Sequence, residues 1–285
     1  MRNSNLLLKD YTDNRSLEEL MNSIALESSI MLDIVEVFKN IVPKLSERLN
    51  GFKLSFSRDN SEEKPLFTEF SNLDKKVLGE LNSLSYVELS HTLISVPEGF
   101  SGNLLSYNNT LLDISGEIYS HSLQVLADYH AILSNFITNK ESQTSIKDYK
   151  SFSDRVSRTE GLLNERIYKF HKSGNPSKTY FKNAFGRMSE VKDLSLITTK
   201  LFSNHSKVNL ENIKESISKT TDLLDIITEQ LASYDITKVS KQAASAIADG
   251  GYAVGKQIEL TSAFYYRCIV ALETTVKLFN QLKDI

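Results

Sequence analysis

Gly250-Gly251-Tyr252-Ala253-Val254-Gly255-Lys256-Gln257 has the glycine spacing and the lysine of a phosphate-binding loop. In such a loop, open backbone amides between a strand and a helix cradle the phosphates. The lysine reaches the terminal phosphate, and a Ser or Thr after it holds magnesium. Here Lys241 to Asp249 are helix formers, and Gln257 stands at the magnesium position. The segment is therefore expected to be a small-residue helix surface, either closely approached by another helix or bent at its glycines. No cofactor is expected.

The other groups capable of chemistry are sparse. Five histidines occur, His91, His121, His130, His171 and His205. Glu88 and His91 make one Glu-x-x-His pair, whereas a di-metal carboxylate bundle needs two such pairs and two further glutamates. Asp113, Glu117 and His121 lie four residues apart and would share one helical face as half of a metal site, but a solvated polar face accounts for them equally well. The lone cysteine, Cys268, falls on an apolar seam and is expected to be an inert core thiol. No Gly-x-Ser-x-Gly elbow is present. No catalytic residue, metal ligand or cofactor-binding residue is assigned, and the chain is expected not to be an enzyme.

Charge is unevenly spread. The net charge is -3, yet Lys147 to Lys200 holds twelve basic residues against six acidic ones, so the remainder is strongly acidic. Arg155, Arg158, Arg166, Lys169, Lys172, Lys178, Lys182 and Arg187 are the candidate contacts to an anionic surface. Interleaved Tyr149, Phe152, Tyr168, Phe170, Tyr180, Phe181 and Phe185 would either stack on bases or form core beneath a solvated basic face. The second reading is preferred, because no arginine-dense run or nucleic-acid motif accompanies the aromatics.

The elements that must carry these residues are helices. Four prolines, eleven glycines and no tryptophan in 285 residues are too few turn formers for many short strands. The expected fold is predominantly all-α, an elongated bundle of long antiparallel helices. Residues 1–15 form an arm. A capped amphipathic helix spans about 16 to 49 and stops at Asn50-Gly51. Residues 52–100 form an insertion, with Phe52 to Phe56 alternating as a strand, Ser57 to Lys64 as a loop, a helix from Pro65, and a small mixed or β-ribbon structure near Tyr86 to Val96. Helices follow from about Asn103 to Asn139, from Ile146 to Lys172, and to about Asn204. Asn209 caps a heptad-patterned helix carrying Leu210, Ile213, Ile217, Thr220, Leu224, Ile227, Leu231 and Tyr234. The terminal seam begins with small residues, Ala243, Ala246, Gly250 and Ala253, and ends with large ones. The large stripe at Leu224, Ile227 and Leu231 is expected to be the partner of its small half.

No segment approaches 18 apolar residues, so an integral membrane protein is not expected. The absence of a secretory pattern and the single cysteine point to a chain that stays in the cytoplasm, or in a particle assembled there. The function expected is that of a non-enzymatic structural or assembly protein, packing by its helices against copies of itself or other subunits. Abundant Ser, Asn, Lys and Ile, a flavour shared by many bacteriophage genomes, makes a virion component one such assembly. The alternative is a helical binding module for an anionic surface, nucleic acid or lipid headgroups, through residues 147–200.

Overall fold

The computed structural model describes residues 34–80, 100, 103–139, 146–168, 189–233 and 241–283. Six α-helices run in order: α1 (Ile34–Glu80), α2 (Leu104–Asn139), α3 (Ile146–Leu163, continued by a π-helical turn, Asn164–Tyr168), α4 (Ser189–Leu201), α5 (Asn204–Ser233) and α6 (Lys241–Lys283). Among the described residues there is no strand, so the all-α reading holds.

Helix α1 departs most from the sequence reading. It runs unbroken for 47 residues through Asn50-Gly51, the alternating Phe52 to Phe56 and the charged Ser57 to Lys64. Val42, Leu49, Phe56, Glu63, Phe70 and Val77 recur every seven residues and are all buried. That strict repeat is a helical seam, and it overrides the three-residue alternation: Leu54 is 61 % exposed while Phe56 is fully buried. Pro43 and Pro65 both lie within the helix at exposed positions. Each removes one amide donor at a nominal cost of about 3 kcal/mol, which burial of the seam on either side outweighs. The expected ribbon near 86–96, the arm at 1–15 and the first half of the helix expected at 16–49 lie outside the described residues.

The other boundaries have local causes. Asn103 caps α2, its Oδ1 accepting from the Ser106 amide and hydroxyl, each at 3.0 Å. Between α4 and α5 the chain turns at Phe202-Ser203, where the Ser203 hydroxyl donates to the Lys200 carbonyl at 2.8 Å. Helix α5 therefore starts at Asn204, more than a turn before the expected cap at Asn209.

Contacts between helices fix their directions. Helices α1 and α6 run parallel: Arg48 meets Glu259, Phe56 meets Tyr265, and Phe70 meets Phe279 edge-on at 5.3 Å. Helix α2 runs antiparallel to α6, from Tyr129 beside Ile247 to Asn108 beside Thr275. The α4–α5 rod runs antiparallel to α1, since Ser195 bonds Asp74, Phe202 stacks on Phe67, and Asp225 accepts from Ser46. Four sides result, in the cyclic order α1, α6, α2 and α4–α5, with α3 laid antiparallel on α2 and against α6. The bundle thus mixes parallel and antiparallel neighbours. Helices α5 and α6 sit across it from one another, so the large stripe of α5 is not the partner of the small seam of α6.

Candidate functional site

The phosphate-loop spacing lies inside α6, where the backbone amides belong to helical hydrogen bonds rather than to an anion cradle. Its glycines mark close approach. A Cβ built on Gly250 would lie 2.9 Å from the Tyr129 ring, and one on Gly251 would lie 2.3 Å from Leu45 Cδ1 and 2.9 Å from the Tyr129 hydroxyl. That hydroxyl donates to the Ile247 carbonyl at 2.9 Å. Lys256 pairs with Glu160 of α3 at 3.3 Å. Three helices meet at the glycines, α1 through Leu45, α2 through Tyr129, and α6 itself, and the helix continues through all three of its glycines.

Further along the bundle the buried polar groups pair across helices. Gln257 donates from Nε2 to Ser122 Oγ at 3.1 Å, and the Ser122 and Thr261 hydroxyls lie 2.6 Å apart. Asn108 donates from Nδ2 to Thr198 at 3.2 Å and to Thr275 at 3.3 Å, joining α2, α4 and α6. The Tyr265 hydroxyl donates to the buried Glu63 carboxylate. Among the described residues three side-chain carbonyl oxygens, Asn108 Oδ1, Gln257 Oε1 and Gln281 Oε1, are buried without a hydrogen-bond partner. Electrostatics here favour inert forms. Burial pushes the Tyr129 and Tyr119 hydroxyls up, Tyr119 aided by Cys268 and Glu63 nearby. Burial, then the Glu63 charge, pushes the Cys268 thiol up, so it stays protonated and unreactive.

The Asp113, Glu117 and His121 face packs against α3. His121 is 8 % exposed, with Nδ1 2.9 Å from the Thr159 hydroxyl and Nε2 3.8 Å from Glu117. Thr159 donates its own hydrogen to the Arg155 carbonyl at 3.2 Å. The Thr159 hydroxyl thus bridges the His121 ring and the Arg155 carbonyl. Burial lowers the His121 pKa; Glu117 opposes this, and Arg158 and Arg155 reinforce it. Asp113 lies 3.8 Å from Arg166 rather than beside the imidazole, and no group of three metal-ligating side chains occurs among the described residues. His130 stacks one turn from Ser134, 3.5 Å away. His91, His171 and the side chain of His205 lie outside the described residues.

Of the candidate anionic-surface contacts, Arg155 is bonded to Asp128 and Arg166 is paired with Asp113, while Arg158 is exposed. Lys169, Lys172, Lys178, Lys182 and Arg187 lie outside the described residues. Phe152 is 1 % exposed and is core. Of the seam residues, Ala243, Gly250, Ala253, Leu224 and Ile227 are buried and Ala246 is half-buried; the Leu231 side chain lies outside the described residues. They divide between opposite corners of the bundle. A shallow groove of about 350 Å³ between α2 and α4 is lined by Leu105, Ser106, Asn109, Asp193, Leu196 and Ile197, with Asp193 its one ionisable group.

Sequence reasoning missed Glu63, placed in a loop, although its position in the seven-residue repeat from Val42 to Val77 marks it as interior. Tyr129 lies inside the helix expected from Asn103 to Asn139, and nothing in its spacing announces the contact with Gly251. Among the described residues no helix is long and apolar enough to cross a membrane. No known protein family, no curated protein and no solved structure matches the chain.

Proposed function

We propose that the protein is a non-enzymatic structural component, an elongated helical body that assembles with copies of itself. The observation that carries this reading is where the interior polar groups point. Glu63, Asn108, Ser122, Gln257 and Tyr129 bond to other helices of the bundle rather than converging on an open cleft. They fix which helix faces which and at what register, a role attested for buried polar residues in helical assemblies. Helices of 47, 36 and 43 residues would extend about 70, 54 and 64 Å at 1.5 Å per residue. That is long for a compact domain and suited to lateral packing. An intracellularly assembled particle, a virion among them, is the setting this reading favours.

Light scattering and small-angle scattering of the purified full chain test it. Particles larger than one chain, with an extended profile, are expected. A compact, monodisperse monomer at all concentrations refutes it.

A further inference from the structure

Among the described residues, five large hydrophobic side chains are exposed, and three of them, Leu196, Val208 and Ile226, lie on the α4–α5 rod. Leu196 stands opposite the buried face of α4, which is formed by Val191, Leu194, Ser195, Thr198 and Leu201. Val208 and Ile226 likewise oppose the buried Leu210, Ile213, Ile217, Leu224 and Ile227 of α5. Helix α5 buries its inner face against α1 and α2, and α4 chiefly against α2; Val208 and Ile226 point away from the bundle, and Leu196, more than half exposed, lines the open α2–α4 groove on the same rod.

The charges around them differ along the rod. Leu196 is flanked one turn away on each side by exposed Lys192 and Lys200, and Ile226 by exposed Asp222 and Glu229. Ile226 is thus an apolar centre between two acids, and Leu196 one between two lysines with exposed Asp193 also a turn away, so that end is net basic and the other acidic. The Ser195–Asp74 and Asp225–Ser46 bonds hold these ends alongside about 42 Å of α1.

We infer that this face is the contact between two copies of the chain, their α4–α5 rods packed antiparallel about a two-fold axis. With Leu196 of one copy on Ile226 of the other, Lys200 falls opposite Asp222 and Lys192 opposite Glu229. The two-fold makes the same contact twice, as closed symmetric dimers do. Val208 lies within about 5 Å, along the helix, of the midpoint between Leu196 and Ile226, so the two copies of it flank the axis. Opposed charges around an apolar centre set the register and exclude the parallel overlay of like ends. This inference rests on the self-assembly reading above and names its partner and surface.

The test uses full-length chain in sedimentation equilibrium, with circular dichroism as the check on folding. One variant carries Lys192→Glu and Lys200→Glu, and a second carries Asp222→Lys and Glu229→Lys. Each alone places like charges at both contacts and is expected to weaken dimerisation by about tenfold or more. An equimolar mixture of the two restores opposite charges at both contacts and is expected to recover a species of two chains, which neither forms alone. The recovery also shows that both variants are folded. A wild-type assembly that neither variant weakens, or two weakened variants that do not recover on mixing, overturns the interface and leaves the assembly reading standing. A wild-type chain that is monomeric throughout overturns both.

Discussion

Replacing Gly251 by alanine adds one methyl group at a tight three-helix contact. In an unobstructed helix the change stabilises by about 0.5 to 1 kcal/mol, because alanine loses less backbone freedom than glycine. At Gly251 the new carbon would lie 2.3 Å from Leu45 Cδ1, 3.1 Å from Leu45 Cδ2 and 2.9 Å from the Tyr129 hydroxyl. Leu45 is 3 % exposed and both of its methyls are in the way, so no rotation clears the space. Tyr129 is held by its bond to the Ile247 carbonyl and cannot retreat without breaking it. Overpacking of this kind costs about 1 to 3 kcal/mol, and two contacts under 3 Å put it at the upper end. The net expectation is a loss of about 2 kcal/mol. Gly116 of α2 is the matched control, since a Cβ there meets nothing within 4 Å; its alanine variant should gain about 0.5 to 1 kcal/mol. Urea unfolding followed by circular dichroism measures both, as a lower midpoint for Gly251→Ala and a higher one for Gly116→Ala with the slope unchanged. A Gly251→Ala protein as stable as wild type would falsify the three-helix contact, and the helical-propensity half of the reasoning fails if Gly116→Ala is destabilised.

Two further outcomes follow from the buried polar groups. Tyr265→Phe removes the hydroxyl that donates to Glu63 inside the core, and should lower stability at neutral pH by about 1.5 to 3 kcal/mol, the range for a hydrogen bond to a charged group; a loss under 0.5 kcal/mol in urea unfolding contradicts that pairing. His121 has a folded pKa below its ordinary value near 6.5, so between the two values the unfolded chain binds more protons than the folded one. Its contribution is present above the ordinary value and is lost as pH falls below it. His121→Asn should reduce the decline in unfolding free energy with falling pH on the acid side of 6.5, whereas a pH profile identical to wild type rejects the assignment.

What the sequence made legible was whatever repeats locally. The α2 start at Asn103, the heptad stripe of α5 and the inert setting of Cys268 all follow from spacing over one to four turns. The failed phosphate loop was legible too, because its context is local. Phe52 to Phe56 misled because three alternating residues fit a strand as well as a helix, and only the longer repeat from Val42 to Val77 decides between them. The partner of the small α6 seam was illegible for a different reason. A short connection and a complementary stripe suggested that α5 would lie beside it, whereas the contacts come from Leu45 and Tyr129, roughly 120 to 200 residues away in sequence. Spacing along one helix reports its faces and leaves open which helix comes to meet them. The outward Leu196 and Ile226 were invisible on the same ground, since exposure belongs to the assembled bundle.

The parallel pairing of α1 with α6 also has a consequence for the order of events during synthesis. Glu63 and Tyr265 stand 202 positions apart. At translation rates of about 5 to 20 residues per second, that interval is roughly 10 to 40 s. For that time the seam of α1, with its fully buried phenylalanines and its interior carboxylate, has been made while its lateral neighbour has not. The helices synthesised between them can dock first, so α6 enters last, into a slot already lined by α1 and α2. Contacts so distant in sequence slow folding and lengthen exposure of apolar surface. Seven-residue seams left open in this way are also open to the seam of another nascent chain.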